Sequence, residues 1–396
     1  MKIKKPLDQQ TKKPRRIGIC LDVEWGIRRE LDVYAGCQSY GDKAGWQCTV
    51  EPAIARVFWD ANGVPAFDGV VGRITPAIAK AAAKAGVPVV NVWLNSPARN
   101  LPAVFADWEA AGVMAAEHLV ARGLRRFGYL GVKGFVNTRQ YLQGVRSVLR
   151  PEGFRCSTHL FPDGDSVWNS PQWKSFITGL ENWVESLVPP VGIIVTGDLQ
   201  CRFLIDVCRK KGFNVPGDIA IVGTGNEVIL CAAPMPSLTS IDLAHAKVGY
   251  RAAAMLERLM DGKAPPSGPE FIPPAQLVPR QSTDVFAVDD PLVAQALRFL
   301  AENSNRMLGV SEVAAEVAVS RRKLERRFRA AVGRSIAEES IRLRVNRAKR
   351  RLVETDEDIK MVAWATGFCS VNHFGKVFAR TVGITPTRYR EARQMK

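Results

Sequence analysis

Over its first two thirds the chain alternates short, nearly continuous apolar runs with longer stretches of helical period. IGICLD at 17–22 reads as a buried strand, followed by a helix over 28–43. GWQCTV, DGVVG and PVVNVWL supply further strands, with a helix in TPAIAKAAAKAG between the last two. After VFADW come a helix over 109–121, the strand FGYLG, a helix over 137–149 and the strand THLF. A helix over 171–187, the strand GIIVTGD, a helix over 199–211 and the strand IAIVGTGN continue the alternation. SLTSID, a helix over 244–260 and the Pro-rich FIPPAQLVPRQST close it. Strands without polar alternation, separated by helices, belong to a parallel sheet covered on both faces. About 270 residues of this exceed one sheet, so two similar lobes are expected.

The last hundred residues change period. Two segments, 319–333 and 370–386, each begin a helix at a serine, Ser320 and Ser370, whose hydroxyl is expected to accept from the first turn. Leu324 and Phe328, then Phe374 and Phe378, recur at i, i+4 as a buried stripe. The opposite faces carry Arg321, Arg322, Lys323 and Arg326, or Asn372, His373 and Lys376. Each segment follows a short amphipathic helix and a tight turn, SEVAAEVAV before one and DIKMVAWATGFC before the other. That is a helix-turn-helix pattern occurring twice. Between them Ser335 and Glu338 fit a capping box, and Ala337, Ile341, Val345, Ala348 and Leu352 form an apolar stripe. A connector over 336–354 would be roughly 28 Å long at ~1.5 Å per residue, near the ~34 Å that separates two reading heads on one face of B-DNA. Thr355 and Asp358 mark the next helix start, and Asp290 with Pro291 the first helix of this region.

Charge agrees with that division. Of a formal net charge of +16, residues 287–396 carry 22 basic against 13 acidic side chains and residues 1–16 carry 7 against 1, leaving the middle nearly neutral. A basic C-terminal domain is what phosphate contact requires, with salt-sensitive binding. The arm 1–15 reads as a disordered basic tail without the apolar region of a signal peptide. No run approaches the ~18 apolar residues of a membrane helix. Eight scattered cysteines and four isolated histidines offer no zinc-ligand spacing, so reduced thiols in the cytoplasm and no metal or cofactor are expected.

The blocks SRRKLERRFR, RLRVNRAKRRLVET and GFCSVNHFGKVFARTVGITPTRYR resemble the AraC-type DNA-binding domain in order and spacing. The resemblance implies two recognition helices entering successive major grooves, with Ser320, Arg321, Arg322, Lys323, Arg326, Ser370, Asn372, His373 and Lys376 at the DNA. VFADWEAAGVMAAEHLVARGLRRFGYLG, GIIVTGD, NVPGDIAIVGTGNE and PSLTSIDLAHAKVGYRAAAMLERL resemble a LacI-type, periplasmic-binding-protein-like sensor. The expected architecture is therefore an α/β two-lobed periplasmic-binding-protein-like sensor over 16–284, followed by an all-α domain with two helix-turn-helix motifs over 285–396. This order of parts resembles the xylose-operon regulators of bacteria. It implies a double-stranded DNA operator, a small-molecule effector such as a sugar, a homodimer and contact with RNA polymerase as partners, and no membrane.

Open α/β sheets take ligands at the carboxyl ends of their strands. That nominates Asp22, Trp25, Arg73, Trp93, Asp107, Asp198 and Asn226, with Arg139 on the helix near Asn137. A sugar needs carboxylates and amides for its hydroxyls and an aromatic face for its C–H groups. An Asp at a strand end more often caps the next helix, and a Trp there is more often core. Two positions depart from sugar-binding members of the sensor family: Gly225 where they carry Asp, and Tyr141 where they carry Arg, with Arg139 two residues away as the compensating cation. A sensor that takes a non-sugar ligand or a protein partner therefore stays open. No G-x-S-x-G, H-E-x-x-H or P-loop points to catalysis.

Overall fold

The computed structural model describes residues 13–21, 28–60, 62–162, 172–232, 236–285, 290–355 and 357–394. Asp22, Trp25 and most of the basic arm lie outside these. The chain divides into two compact units, one of residues 1–112, 134–144 and 241–276, the other of 113–133, 145–240 and 277–396.

The first unit holds β1 (Arg16–Cys20), α1 (Arg28–Ala44), β2 (Gln47–Val50), β3 (Gly69–Gly72), α2 (Pro76–Ala85) and β4 (Val89–Asn91). They form a four-stranded sheet of order β2-β1-β3-β4, parallel throughout. Its strands are short and apolar, and Ile17, Ile19, Val70, Val71 and Val90 are buried. Thr75 caps α2 by accepting from the Ile78 N–H at 3.3 Å, with Pro76 at the first helical position. Strand β5 (Val104–Ala106), which the apolar pattern did not single out, pairs in parallel with the later Glu270–Ile272 strand. Helix α1 packs against the later helix His245–Met260, and that crossing needs glycine. A Cβ on Gly36 would lie 1.9 Å from the Ala246 carbonyl oxygen, and one on Gly249 2.0 Å from that of Val33.

Onward run α3 (Trp108–Val120), β6 (Phe127–Val132), α4 (Val136–Leu149), β7 (Cys156–Phe161), α5 (Gln172–Glu185), β8 (Val191–Val195), α6 (Asp198–Lys210), β9 (Ile219–Thr224), the short α7 (Val228–Ala232), β10 (Thr239–Asp242), α8 (His245–Met260), β11 (Glu270–Ile272) and β12 (Gln276–Val278). The second sheet has the order β12-β10-β9-β8-β6-β7. Its β6, β7, β8 and β9 pair in parallel, and β8 and β9 are buried at every position. Leu180, Val184, Leu204, Cys208 and Leu238 fill the layer between this sheet and its helices. The sequence pattern singled out neither α7, β11 nor β12, because three to five residues are too few to display a period. A 3-10 turn at Gln281–Thr283 ends the α/β region.

The helical region has seven helices among its described residues: α9 (Pro291–Glu302), α10 (Val310–Glu316), α11 (Arg321–Val332), α12 (Ile336–Glu354), α13 (Ile359–Ala365), α14 (Val371–Val382) and α15 (Pro386–Gln394). Asp290 caps α9 as expected, accepting from the Leu292 and Val293 N–H groups, and Ser335 with Glu338 completes the capping box of α12. Asp358 stands at the N-cap of α13 without a side-chain bond. Leu324, Phe328, Phe374 and Phe378 are fully buried, as their spacing requires.

The stripe expected along α12 is corrected at its start. Ala337 is exposed and Ile336 is buried in its place. Ile336 and Leu343, seven residues apart on one face, join the core of the first helix-turn-helix. Val345, Ala348 and Leu352 join the core of the second. At about 100° per residue the step from 343 to 345 turns the buried face roughly half-way round the helix, so α12 is wetted by neither core alone and serves both.

Candidate nucleic-acid interface and effector pocket

Helices α11 and α14 are built alike. Each opens after a turn on a serine in extended conformation, closes on a left-handed glycine (Gly333 or Gly383) and buries one stripe. The other face is left to solvent: Ser320, Arg321, Arg322, Lys323, Arg326, Ser370, Asn372, His373 and Lys376 are all exposed. The two caps differ. Ser370 accepts from the His373 N–H at 3.1 Å, whereas Ser320 makes no side-chain cap bond, a correction to the symmetric expectation. Its hydroxyl, released from capping at a helix N-terminus, is free to turn toward an anion there.

Among the cations of α11, Arg321 is paired with Glu325 at 3.1 Å along the helix, both ends exposed. Arg327 faces the other way, onto Asp290, and serves the fold. His373 sits edge-on to Phe368, ring centroids 5.8 Å apart, which fixes it near the start of α14.

The effector candidates fall into two sets. In the first unit Arg73, just past β3, lies with its guanidinium 4.6 Å from the centre of the Trp93 ring, just past β4. Glu30 on α1, almost wholly buried, stands 3.8 Å from Arg73 Nη1 and accepts from Arg29 at 2.8 Å. Asn95 accepts from the Val136 N–H at 2.7 Å and donates to Asn137 Oδ1 at 3.0 Å. Two hollows share Arg73 and Trp93: one of about 500 Å³ that also reaches Cys20, Pro52 and Arg56, and one of about 60 Å³ that reaches Glu30, Asn95, Trp108, Asn137 and His245. Burial, then the charges of Arg29 and Arg28, push the His245 imidazole down to about 3, so a neutral ring lines the smaller hollow. Glu30, Asn137 and His245 were missed in the sequence because each lies in the first turn of a helix. No strand-end signal marks them.

Asp107 caps α3, accepting from the Ala110 N–H at 2.8 Å. Arg139 is exposed and lines neither hollow, while Tyr141 is fully buried, edge-on to Trp108 at 5.8 Å. Two residues along a helix is a turn of about 200°, so Arg139 does not take the place that Tyr141 occupies.

In the second unit Asp198, at the first turn of α6, is buried and engaged on both oxygens. Ser240 Oγ donates to Oδ1 at 2.6 Å; the Glu227 N–H at 2.8 Å and the Cys231 thiol at 3.4 Å donate to Oδ2. Burial raises the carboxyl above its usual range, and these bonds offset part of that. Asn226 follows β9 in left-handed conformation, its N–H on Ser240 Oγ and its Oδ1 accepting from Arg280 at 2.8 Å. The departure at Gly225 has a local cause: its φ of +122° is a backbone conformation that residues with a Cβ rarely adopt. Among the described residues no group of three His, Cys, Asp or Glu is placed to hold a metal ion, and no helix is long and apolar enough to cross a membrane.

Two family profiles match the chain: a periplasmic binding protein-like domain over residues 116–283 and a helix-turn-helix domain over 313–392. The chain is 28% identical over 335 residues to the xylose operon regulatory protein of Escherichia coli strain K12, covering 82% of this chain and 84% of that one. It is 29% identical over 297 residues to the protein of the same description in Haemophilus influenzae, covering 74% and 75%. A solved xylose-binding transcription activator shares the fold with a TM-score of 0.62 at 24% identity, covering 96% of this chain and 98% of its own. The chain thus joins a periplasmic-binding-protein-like domain to an AraC-type helix-turn-helix domain and is homologous to xylose operon regulatory proteins.

Proposed function

We propose that this regulator answers to a pentose of the D-xylose kind. The carrying observation is the arrangement of Arg73 against the Trp93 face beside the buried Glu30 carboxylate. A pentose presents hydroxyls that a guanidinium, a carboxylate and two amides can pair, and a C–H face that an indole can cover. Arg73, Trp93, Glu30, Asn95 and Asn137 supply those groups within one unit. The homologues named for the xylose operon support the same choice. Asp22 and Trp25, outside the described residues, stay proposed contacts from the sequence pattern, as does Asn226 at the end of β9.

The sensor extends over 16–284 and the DNA-binding region over 285–396. The regulator binds its operator as a homodimer in the cytoplasm, where two tandem readers gain from bivalency, and RNA polymerase is its further partner. Thermal-shift and calorimetric screening against pentoses, hexoses and uronates tests the effector. Binding of D-xylose that is lost in Arg73→Ala supports the reading. A hexose or uronate that binds where D-xylose does not would replace it.

A further inference from the structure

A run of buried and half-buried side chains inside the second unit leads from the end of β9 to Thr283, from which the chain continues to the DNA-binding helices. Asn226 Oδ1 accepts from Arg280 Nη2 at 2.8 Å, and Arg280 Nη1 donates to the Leu238 carbonyl at 2.8 Å. The backbone of Arg280 is gripped in turn by Thr239, whose Oγ1 accepts from the Arg280 N–H at 2.8 Å and donates to its carbonyl at 3.0 Å. Thr239 Oγ1 meets Thr283 Oγ1 at 2.8 Å, and Thr283 Oγ1 meets His118 Nε2 at 2.9 Å. His118 Nδ1 meets Arg122 Nη1 at 3.0 Å, and Arg122 Nε closes the loop on the Thr283 carbonyl at 2.7 Å.

Donor and acceptor counting fixes the polarity of every link. A guanidinium only donates, so His118 Nδ1 carries the lone pair and Nε2 the proton. Nε2 then donates to Thr283, leaving the Thr283 hydroxyl proton for Thr239 and the Thr239 proton for the Arg280 carbonyl. Thr239 and Thr283 have no solvent exposure, so no water replaces a broken link. The neutral ring this requires fits its surroundings: burial, Arg122 and Arg342 all hold the His118 imidazole well below its usual range.

The far end of the run is mechanical. Thr283 is the last residue of the 3-10 turn, and only residues 284–289 separate it from Asp290. Six residues span at most about 20 Å. Asp290 is fastened to Arg327 in the reading helix α11. Gln281, Asp284 and Val285 also line a cavity of about 810 Å³ together with Ala294, Leu297 and Arg298 of α9.

We propose that Arg280, Thr239, Thr283, His118 and Arg122 are the coupling residues of this regulator: they set the position of residues 280–285, and through the chain that continues from there that of α9 and α11, according to what occupies the carboxyl end of β9 at Asn226. The proposal rests on reading Asn226 as an effector contact. These are positioning residues, touching neither effector nor DNA, and each end of the run reports on the other because coupling is reciprocal.

The test uses the full chain and Thr283→Val, which keeps the volume and removes the hydroxyl, with Thr283→Ser as the rescue. D-xylose affinity is measured by calorimetry. DNA affinity, with and without D-xylose, is measured on a duplex selected from a random library by the wild-type protein. The wild type should show a ratio of the two DNA affinities of about 5- to 150-fold; Thr283→Val should bring it close to 1 with D-xylose affinity in the absence of DNA within about twofold, and Thr283→Ser should restore it. A Thr283→Val protein with the wild-type ratio overturns the proposal. If D-xylose does not bind the wild type, the effector reading has failed, and amide hydrogen exchange without effector decides the coupling. Faster exchange in 291–300 as well as 277–285 of Thr283→Val supports it; a change confined to 277–285 sinks it.

Discussion

Two nitrogens of Arg327, Nε and Nη2, close on the carboxylate of Asp290 at 2.5 and 2.8 Å. The same carboxylate caps α9, so one residue both starts α9 and ties α11 to it. Asp290→Ala should lower stability by about 0.5–2 kcal/mol from the lost cap alone, whereas Asp290→Asn keeps the cap and loses only the ionic bond. The Arg327 hydrogen bond leads the causes that hold the Asp290 carboxyl below its usual range. Its contribution is therefore present above pH ~4 and disappears as pH falls through the depressed value. Urea titrations of the three proteins at pH 7 and pH 3 check both points; equal midpoints for Asn and Ala would remove the cap from the account.

Arg322 is exposed on the first turn of α11, while Arg327 on the same helix is committed to the fold. Arg322→Ala should weaken operator binding by ~1–3 kcal/mol and random DNA much less, because an arginine that reads guanine is lost only where the base is present. Equal losses on both DNAs would make it a phosphate contact. Asn372→Ala on α14, with fewer cations beside it, should cost less, and footprints over both half-sites would reveal the order.

Arg73 and Asp198 should behave oppositely. Arg73 is about one-third exposed and rests on Trp93, so Arg73→Ala should abolish effector binding at nearly unchanged melting temperature. Asp198 receives three internal hydrogen bonds in a buried site, and Asp198→Ala should cost roughly 1–3 kcal/mol or more of stability by taking the carboxylate acceptor away from the Ser240 hydroxyl, the Glu227 N–H and the Cys231 thiol. Melting curves with and without D-xylose separate the two. An Asp198→Ala protein of wild-type stability that has lost the sugar response would restore Asp198 as a direct contact.

His245 is buried neutral, its imidazole pushed down to about 3 from an unfolded value near 6.5. Below pH ~6.5 the unfolded chain binds a proton there that the folded one refuses, so stability falls with falling pH. The loss is about 1.4 kcal/mol per pH unit. His245→Asn should flatten stability against pH between 6 and 5 by about one proton's worth, while His118 and His159, both also held below their usual range by burial, keep their own contributions to the slope. An unchanged slope in the variant would mean that His245 charges freely in the folded protein.

Much of this protein follows from the sequence alone, and for one reason: its signals are local. A strand such as 191–195 is apolar at every position because both its faces are covered, and α11 and α14 declare themselves by Leu324/Phe328 and Phe374/Phe378 spaced one turn apart. Asp290 with Pro291, and Ser335 with Glu338, are caps written in four residues or fewer. What tertiary structure decided depends on neighbours far along the chain. Asp198 was nominated by its place after a strand; that its oxygens are already satisfied depends on Ser240, 42 positions away. Ile336 replaces Ala337 in the core because two separate clusters claim one helix on different faces. Glu30 comes to Arg73, and Arg122 to Thr283, only once helices and strand ends have packed. Periodicity says which side of an element is buried. It carries nothing about which distant group will meet a polar side chain there, and the hydrogen bonds of a buried site are settled by that meeting.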